Sequence, residues 1–391
     1  MQSYLDILVT IVPFIIWMYL IFFYAQKKTR FNNFFWTNKV ILENQKFKLS
    51  TLKNKHSICI IIPARNEEKY IADTIKSLLS QKINKFILIV NDNSIDATTE
   101  EALKTFKKEK FAKFKILNGK KLPNEWSGKV WALKQGVDWA IKKKFSHFLF
   151  IDSDIILKKN IVLKTLNFMN ERKLSMLSLM AKLKCTTIWE CFLIPPFIYF
   201  FQKLYPFSIV NIPKEKLAAA AGGFILCRSE LFRKKNLFNL IKNKIIDDCN
   251  IAKIIKSNGN AIWLGLTRMV ESKRSYSELR EIWKMVSRTA FEQLNHSIIL
   301  LLISIFGMIV IYLLPLINLF FQSNSYLIVM NLLSIFLMNM SFLPTAKFYN
   351  IRWIFFILLP FSSFVYMLMT ISSAYNYYFK SGNVWKGRNY Q

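Results

Sequence analysis

Glycine and proline are scarce in this sequence, 10 of each in 391 residues, which excludes collagen-like and linker-like chains. The five cysteines are scattered, with no C-x-x-C pair; that excludes a disulfide scaffold and leaves no zinc-ligand spacing. With only three histidines, neither a Ser-His-Asp arrangement nor a metal cluster built on imidazole can be argued. Acids are few as well, 24 Asp+Glu against 55 Lys+Arg, for a formal net charge of +31. What is plentiful is apolar: 53% of the residues are hydrophobic and 35 are Phe, against the roughly 45–50% of an ordinary soluble chain. Aromatics at 15% exclude disorder. A long apolar excess and a large basic excess rarely share one core, so they are expected in different segments.

Two partners suit such a charge, nucleic acid and an anionic membrane. A nucleic-acid domain should cluster Lys and Arg within a recognisable module. The sequence has no zinc-finger spacing, basic zipper or RNA-recognition signature. Basic residues beside a membrane need no module, each contributing about 1 kcal/mol near an anionic leaflet. Membrane is therefore the expected partner, and nucleic acid is not.

The apolar residues are segregated along the chain. Leu5 to Ala25 is almost wholly apolar, with Asp6 at the edge and Pro13 inside, and is long enough to cross the hydrocarbon core. Lys27, Lys28 and Arg30 follow it and no basic residue precedes it, the reverse of a cleaved signal peptide. The expectation is a retained anchor over 1–26, with the following chain cytoplasmic by the positive-inside rule. A second block, 296–379, is divided at Gln322–Ser325 and Lys347–Arg352 into candidate spans near 297–321, 326–345 and 353–376. Four spans that start outside end outside, whereas Lys380, Lys386 and Arg388 of the basic tail 380–391 favour the inside; a re-entrant segment would reconcile the two. The stretch 191–210 is apolar but holds Pro195, Pro196, Lys203 and Pro206, and reads as an interfacial or lipid-facing element. The whole is expected to be multi-pass in the cytoplasmic membrane.

After a basic linker at 27–55, residues 56–295 make one unit large enough for a single core. Short β-rich runs at Ile58–Ile62, Phe86–Val90, Lys115–Leu117 and Phe148–Ile151 alternate with helical patterns, one carrying Ile71, Ile75, Leu78 and Leu79. This predicts an α/β fold, a mostly parallel sheet covered by helices on both faces. Ligands in such sheets sit at the carboxyl ends of the strands. Those ends carry Arg65-Asn66-Glu67, Asp92 and Asp152-Ser153-Asp154. Two acids two residues apart on an extended segment can point the same way, and their oxygens suit Mg²⁺ or Mn²⁺ on a diphosphate; a solvated turn or a helix cap is the plainer reading. Asp92, at a strand end, can hydrogen-bond a base or ribose. Asp247-Asp248 open a helix, where its dipole favours acids; adjacent acids also repel, which raises one pKa and suits a general base. Lys129 can neutralise phosphate, and Gly222-Gly223 permits close backbone approach.

Taken in order, Ile61-Ile62-Pro63-Ala64-Arg65-Asn66-Glu67-Glu68, Val90-Asn91-Asp92-Asn93-Ser94, Gly128-Lys129-Val130-Trp131-Ala132-Leu133, Ile151-Asp152-Ser153-Asp154, Ala221-Gly222-Gly223-Phe224 and Ile246-Asp247-Asp248-Cys249 resemble the membrane-anchored family-2 glycosyltransferases of GT-A (Rossmann-like) fold. The resemblance covers about 58–290. Leu122–Lys129 and Ile262–Thr267 look like the hopanoid-associated subgroup, with carotenoid glycosyltransferases as near relatives. It implies an inverting transfer of one sugar from a nucleotide-diphospho-sugar, UDP-linked, to a lipid hydroxyl. Asp92 would contact the nucleoside, Asp152 the ribose, and Asp154, with Asp152, a divalent metal (Mg or Mn). Asp248 would be the catalytic base, and Pro63, Arg65, Glu67, Lys129, Gly223, Asp247 and Arg288 would bind substrate. Asn91 stands where many members have a first Asp. Of the Q-x-x-R-W element of polysaccharide synthases only Arg288 is kept, which favours a single transfer over polymerisation. The alternatives are transfer to polyprenyl phosphate or a polysaccharide, and a non-catalytic nucleotide-sugar-binding membrane protein.

Overall fold

The computed structural model describes residues 4–24, 57–233, 236–379, 383–385 and 388–390; the linker 27–55 and most of the basic tail lie outside the described residues. The chain divides into two compact units. One, the sheet unit, takes in Lys39–Lys184 and Val210–Ser275; the other, the helical unit, takes in Met1–Asn38, Cys185–Ile209 and Tyr276–Gln391.

The sheet unit holds eight strands: β1 (Ile58–Ala64), β2 (Lys85–Asn91), β3 (Phe114–Asn118), β4 (His147–Phe150), β5 (Ile155–Leu157), β6 (Met176–Lys182), β7 (Ile225–Arg228) and β8 (Ile262–Ser272). Their order across the sheet is β3-β2-β1-β4-β7-β6-β8-β5. β3, β2, β1 and β4 run parallel. β7 is antiparallel to both its neighbours, and β5 is antiparallel to β8. The sheet is thus mixed, parallel in the half that the apolar runs foretold. β1 shows why those runs lack alternation: all but Pro63 of its seven residues are buried, because both faces are covered. Ile58, Ile60, Ile62 and Ala64 share a core with Ile71, Ile75 and Leu78 of the helix Ile71–Leu79 and Phe106 of the helix Thr98–Lys108. Ile61 points the other way, onto the helix Gly128–Ile141 at Gly136.

Among the described residues three helices of the helical unit are, by length and composition, able to cross a membrane: Tyr4–Phe22, Ile298–Phe321 and Ser325–Tyr349, with mean hydropathies of 2.3, 2.8 and 1.9. The stretch expected to span at 353–376 is broken at Leu358 into a short helix Trp353–Ile357 and a longer one, Leu359–Phe379. Residues 191–204 belong to the helix Ile188–Leu204, whose Leu193, Ile194, Pro195, Pro196, Ile198 and Tyr199 are buried within this unit. Prolines inside apolar helices orphan the carbonyl four residues back, and in two cases here a neighbour satisfies it. Pro196 cannot donate to Phe192 O, which accepts from Ser362 Oγ at 3.0 Å instead. Pro315 cannot donate to Ile311 O, which accepts from the Trp17 indole Nε1 at 2.9 Å. Where water is absent such repair is required.

A Cβ at Gly136 would lie 2.6 Å from Ile61 Cγ2 and 3.1 Å from Val90 Cγ2. Helix propensity favours Ala over Gly by about 1 kcal/mol, whereas overpacking costs about 1–3 kcal/mol. Gly136→Ala is expected to lower stability, read as an earlier midpoint in denaturant; a gain would show that the helix moves off the sheet freely.

Candidate active site

The parallel strands end on one edge of the sheet, and the loops after β1 and β2 are knitted together there. Asn66 and Asn93 adopt left-handed backbone, φ 54° and 52°, which asparagine tolerates best among residues with a Cβ. The Asn66 amide donates to Ser94 Oγ at 3.1 Å, and its side-chain oxygen accepts from Ile95 N at 3.0 Å. Arg65 Nη1 donates to the carbonyls of Asp92 and Asn93 at 2.8 and 2.9 Å. Glu67 N donates to Thr98 Oγ1 at 2.8 Å. Asp92, 2% exposed, is fixed by its own amide donating to Ala64 O at 2.8 Å. Arg65 therefore braces the loop that carries Asp92.

Beside this edge the carboxylates converge on Lys129, which opens the helix Gly128–Ile141. Lys129 Nζ lies 2.9 Å from Asp152 Oδ1 and 3.4 Å from Asp247 Oδ2. Asp247 and Asp248 begin the helix Asp247–Ser257, and Asp248 Oδ1 accepts from Cys249 N at 2.7 Å. Gly222 closes the ring. A Cβ there would lie 3.0 Å from Lys129 Nζ, 3.3 Å from Asp248 Oδ2 and 3.5 Å from Asp152 Oδ2. Pro63, Lys129, Asp152, Gly222 and Asp247 line one small cavity. Gly223 faces elsewhere, its would-be Cβ 3.0 Å from Ala181 Cβ and 3.1 Å from Ile155 Cδ1.

The charges set one another. Burial alone would lower the Lys129 pKa, but Asp152, Asp247 and Asp248 hold it above its usual value, so the ammonium stays charged. Burial first, and the neighbouring Asp247 second, push Asp248 up to about 7, with Lys129 opposing. Asp247 is raised by burial as well, again against Lys129.

Asp154, 8% exposed, is held apart from this ring. Its Oδ2 accepts from Ser272 Oγ at 2.9 Å and from Arg274 Nε at 3.2 Å. Its Oδ1 has no protein partner among the described residues, and the same holds for Oδ2 of Asp152. Arg274 also pairs with Glu67. Arg288 ends the helix Leu279–Ser287 in the helical unit. Among the described residues no three His, Cys, Asp or Glu side chains form a metal cage.

Residues 59–234 match the family model described as Glycosyl transferase family 2. Among curated proteins, the 4,4'-diaponeurosporenoate glycosyltransferase of Staphylococcus aureus (strain bovine RF122 / ET3-1) is 32% identical over 120 residues, 30% of this chain and 30% of that protein. The protein of the same name from Staphylococcus haemolyticus (strain JCSC1435) is 30% identical over 131 residues, 32% and 33% of the two chains. The match thus spans about a third of the length of these relatives. Among solved structures, a mannosyltransferase from Pyrobaculum calidifontis in complex with GDP-Man and Mn²⁺ has a TM-score of 0.48 at 11% identity, covering 92% of this chain and 98% of that one. The glucosyl-3-phosphoglycerate synthase of Mycobacterium tuberculosis with Mn²⁺ and UDP-glucose has a TM-score of 0.39 at 14% identity, covering 64% and 84%. The family-2 match contains Glu67, Asp92, Lys129, Asp152, Asp154 and Gly222; Asp247, Asp248 and Arg274 lie beyond it.

A carboxyl whose pKa is higher folded than unfolded makes the folded state bind more protons. Its contribution is complete below the unfolded value and is lost as pH rises through the folded value. For Asp248 that window runs from 3.8 to about 7. Asp248→Asn is therefore expected to melt higher than the wild type at pH 8, by roughly 2–4 °C per kcal/mol relieved, with the gap closing toward pH 4. An equal gap at both pH values would remove the charge argument.

Proposed function

We propose that the chain is a membrane-bound inverting glycosyltransferase that moves one sugar from a nucleotide-diphospho-sugar, UDP-linked, to the hydroxyl of a lipid acceptor. The observation that carries this reading is the ring of Asp152, Asp247 and Asp248 around Lys129 at Gly222, beside the strand ends of a segment that matches a glycosyltransferase family. An apolar acceptor is supported by the relatives' name, 4,4'-diaponeurosporenoate glycosyltransferase, and by three helices able to cross a membrane. A hopanoid or other isoprenoid lipid fits the same reading, and so does a catalytic unit on the cytoplasmic side of the membrane, where the basic linker would follow the first span.

The donor's nucleoside meets Asp92 and the loop braced by Arg65, and its ribose meets Asp152. Asp248 takes the proton from the acceptor hydroxyl. The hydroxyl oxygen forms its bond to the anomeric carbon while the bond from that carbon to the diphosphate breaks, and the diphosphate leaves with the electron pair. Lys129 supplies a fixed positive charge that a leaving diphosphate can use. The donor set also fits a divalent cation of the Mg²⁺ or Mn²⁺ type: among the described residues Asp152 and Asp154 each keep one carboxylate oxygen without a protein partner, and no all-protein cage forms. Such ions are held by one or two carboxylates together with substrate phosphates. When bound, the cation would offset charge on the diphosphate.

The test is transfer of a labelled UDP-sugar in membranes containing equal amounts of each variant. Asp248→Asn is expected to lose about 10²–10⁴-fold, the usual share of a general base. Asp154→Ala is expected to abolish transfer. Full activity in either variant would falsify the site assignment. In the wild type the base acts only when ionised, so the rate should rise about tenfold per pH unit up to about 7, the value to which Asp248 is raised, and level above it. A rate flat from pH 5 to 8 would exclude Asp248 as the base.

A further inference from the structure

Arg274 lies just beyond the end of β8 and joins two acids from distant parts of the sheet unit. Its Nη2 donates to Glu67 Oε1 at 2.7 Å and Oε2 at 2.8 Å, while its Nε donates to Asp154 Oδ2 at 3.2 Å. The guanidinium carbon stands 5.0 Å from the centroid of the Tyr70 ring. Ser272 completes the arrangement: its hydroxyl donates to the same Asp154 oxygen at 2.9 Å and accepts from Arg274 N at 3.2 Å. The pairing of β5 with β8 brings these groups together. Ile155 is opposite Ser272, so Asp154, immediately before β5, meets the residues immediately after β8, and Lys273 N donates to Asp154 O at 2.8 Å.

Three features of this cluster have one common result. Asp154 is held by two donors on one oxygen only, leaving Oδ1 without a protein partner among the described residues. Glu67 is 4% exposed, so its charge needs a partner where it stands. The planar fork of arginine serves both acids at once, Asp154 from Nε and Glu67 from Nη2, which an ammonium cannot do in one fixed geometry. The Tyr70 face limits where that fork can lie.

We infer that Arg274 is a positioning residue for the divalent cation: anchored by Glu67, it holds Asp154 so that Oδ1 is presented to the metal. This rests on the metal role proposed above for Asp154. In this role Arg274 acts through Asp154, to which its Nε donates.

The experiment measures Mn²⁺ binding to the purified full-length protein in detergent, with UDP present and no donor sugar, by the electron paramagnetic resonance signal of free Mn²⁺. Groups that orient a metal ligand typically affect metal affinity 10–100-fold. Arg274→Gln is expected to weaken Mn²⁺ binding by about that factor, and Arg274→Lys to recover only part of it, because the fork is lost. Glu67→Gln should weaken binding by less, and the double variant Glu67→Gln with Arg274→Gln should be no weaker than Arg274→Gln alone, since both act through one carboxylate. The double variant also leaves no unpaired buried acid at position 67, so it reports on the metal if the single change prevents folding. Asp154→Asn separates the two ideas. If it binds Mn²⁺ as the wild type does, the metal role of Asp154 fails and the inference with it. If Asp154→Asn loses Mn²⁺ while Arg274→Gln and the double variant stay within twofold of wild type, the metal role stands and the positioning role of Arg274 is overturned.

Discussion

One lysine sits among three carboxylates, and the geometry of the strand-end site follows from that imbalance. Lys129 reaches Asp152 and Asp247 directly, and Asp248 lies around the same Gly222. A single positive charge cannot fully compensate three negative ones in a partly buried site, and the deficit has to appear somewhere. It appears on Asp248, which burial and Asp247 push up to about 7. The constraint therefore sorts the acids into roles. Asp152 takes the ammonium, Asp247 shares it at longer range, and Asp248 is left as the one most ready to exchange a proton. A general base at neutral pH needs that property, and here it comes from burial first and from the neighbouring Asp247 second.

Asp154 shows a different solution. It belongs to the same Asp152-Ser153-Asp154 turn, yet its compensation comes from β8, through Ser272 and Arg274. Two neighbouring carboxylates are thus served by separate cations from separate elements. Asp152 faces Lys129, Asp154 faces Arg274, and among the described residues each keeps one oxygen without a protein partner. Compensation of charge and presentation of oxygens are achieved by the same contacts.

The sequence was most readable where the physics is local. Runs of buried β-branched residues marked β1 and β2 to within two residues at either end, because strands covered on both faces need apolar residues throughout. Strand ends then located Asp92 and Asp152. β7 was visible only as part of a motif, and nothing local shows that it runs antiparallel, since direction depends on how the chain returns from the other side of the sheet. β5 has only three residues, too few for any period to register. Arg274 was invisible for a related reason. It is one of 55 basic residues, and only the β5–β8 register distinguishes it. The single available signal was its place just past an apolar β-rich run ending at Ser272, the kind of strand end that had already been informative elsewhere. Gly222 and Gly223 could not be told apart from sequence. They differ in what each backbone faces, the acid ring for one and Ala181 with Ile155 for the other.

The two scarcities of the sequence meet at this site. Of 24 acids, Glu67, Asp92, Asp152, Asp154, Asp247 and Asp248 all belong to the strand-end loops or the helix start beside them. Among 10 glycines, Gly222 is placed where a Cβ would crowd Lys129 and Asp248 and touch Asp152. In a chain with a net charge of +31, random placement would surround such acids with surplus lysines and suppress the upward shift of Asp248. The ring instead contains one lysine, while the basic excess lies elsewhere. Surface charge and site charge are therefore under different constraints: the first is limited only by self-repulsion over the whole molecule, whereas the second must stay short of cations for the pKa of a buried carboxylate to rise.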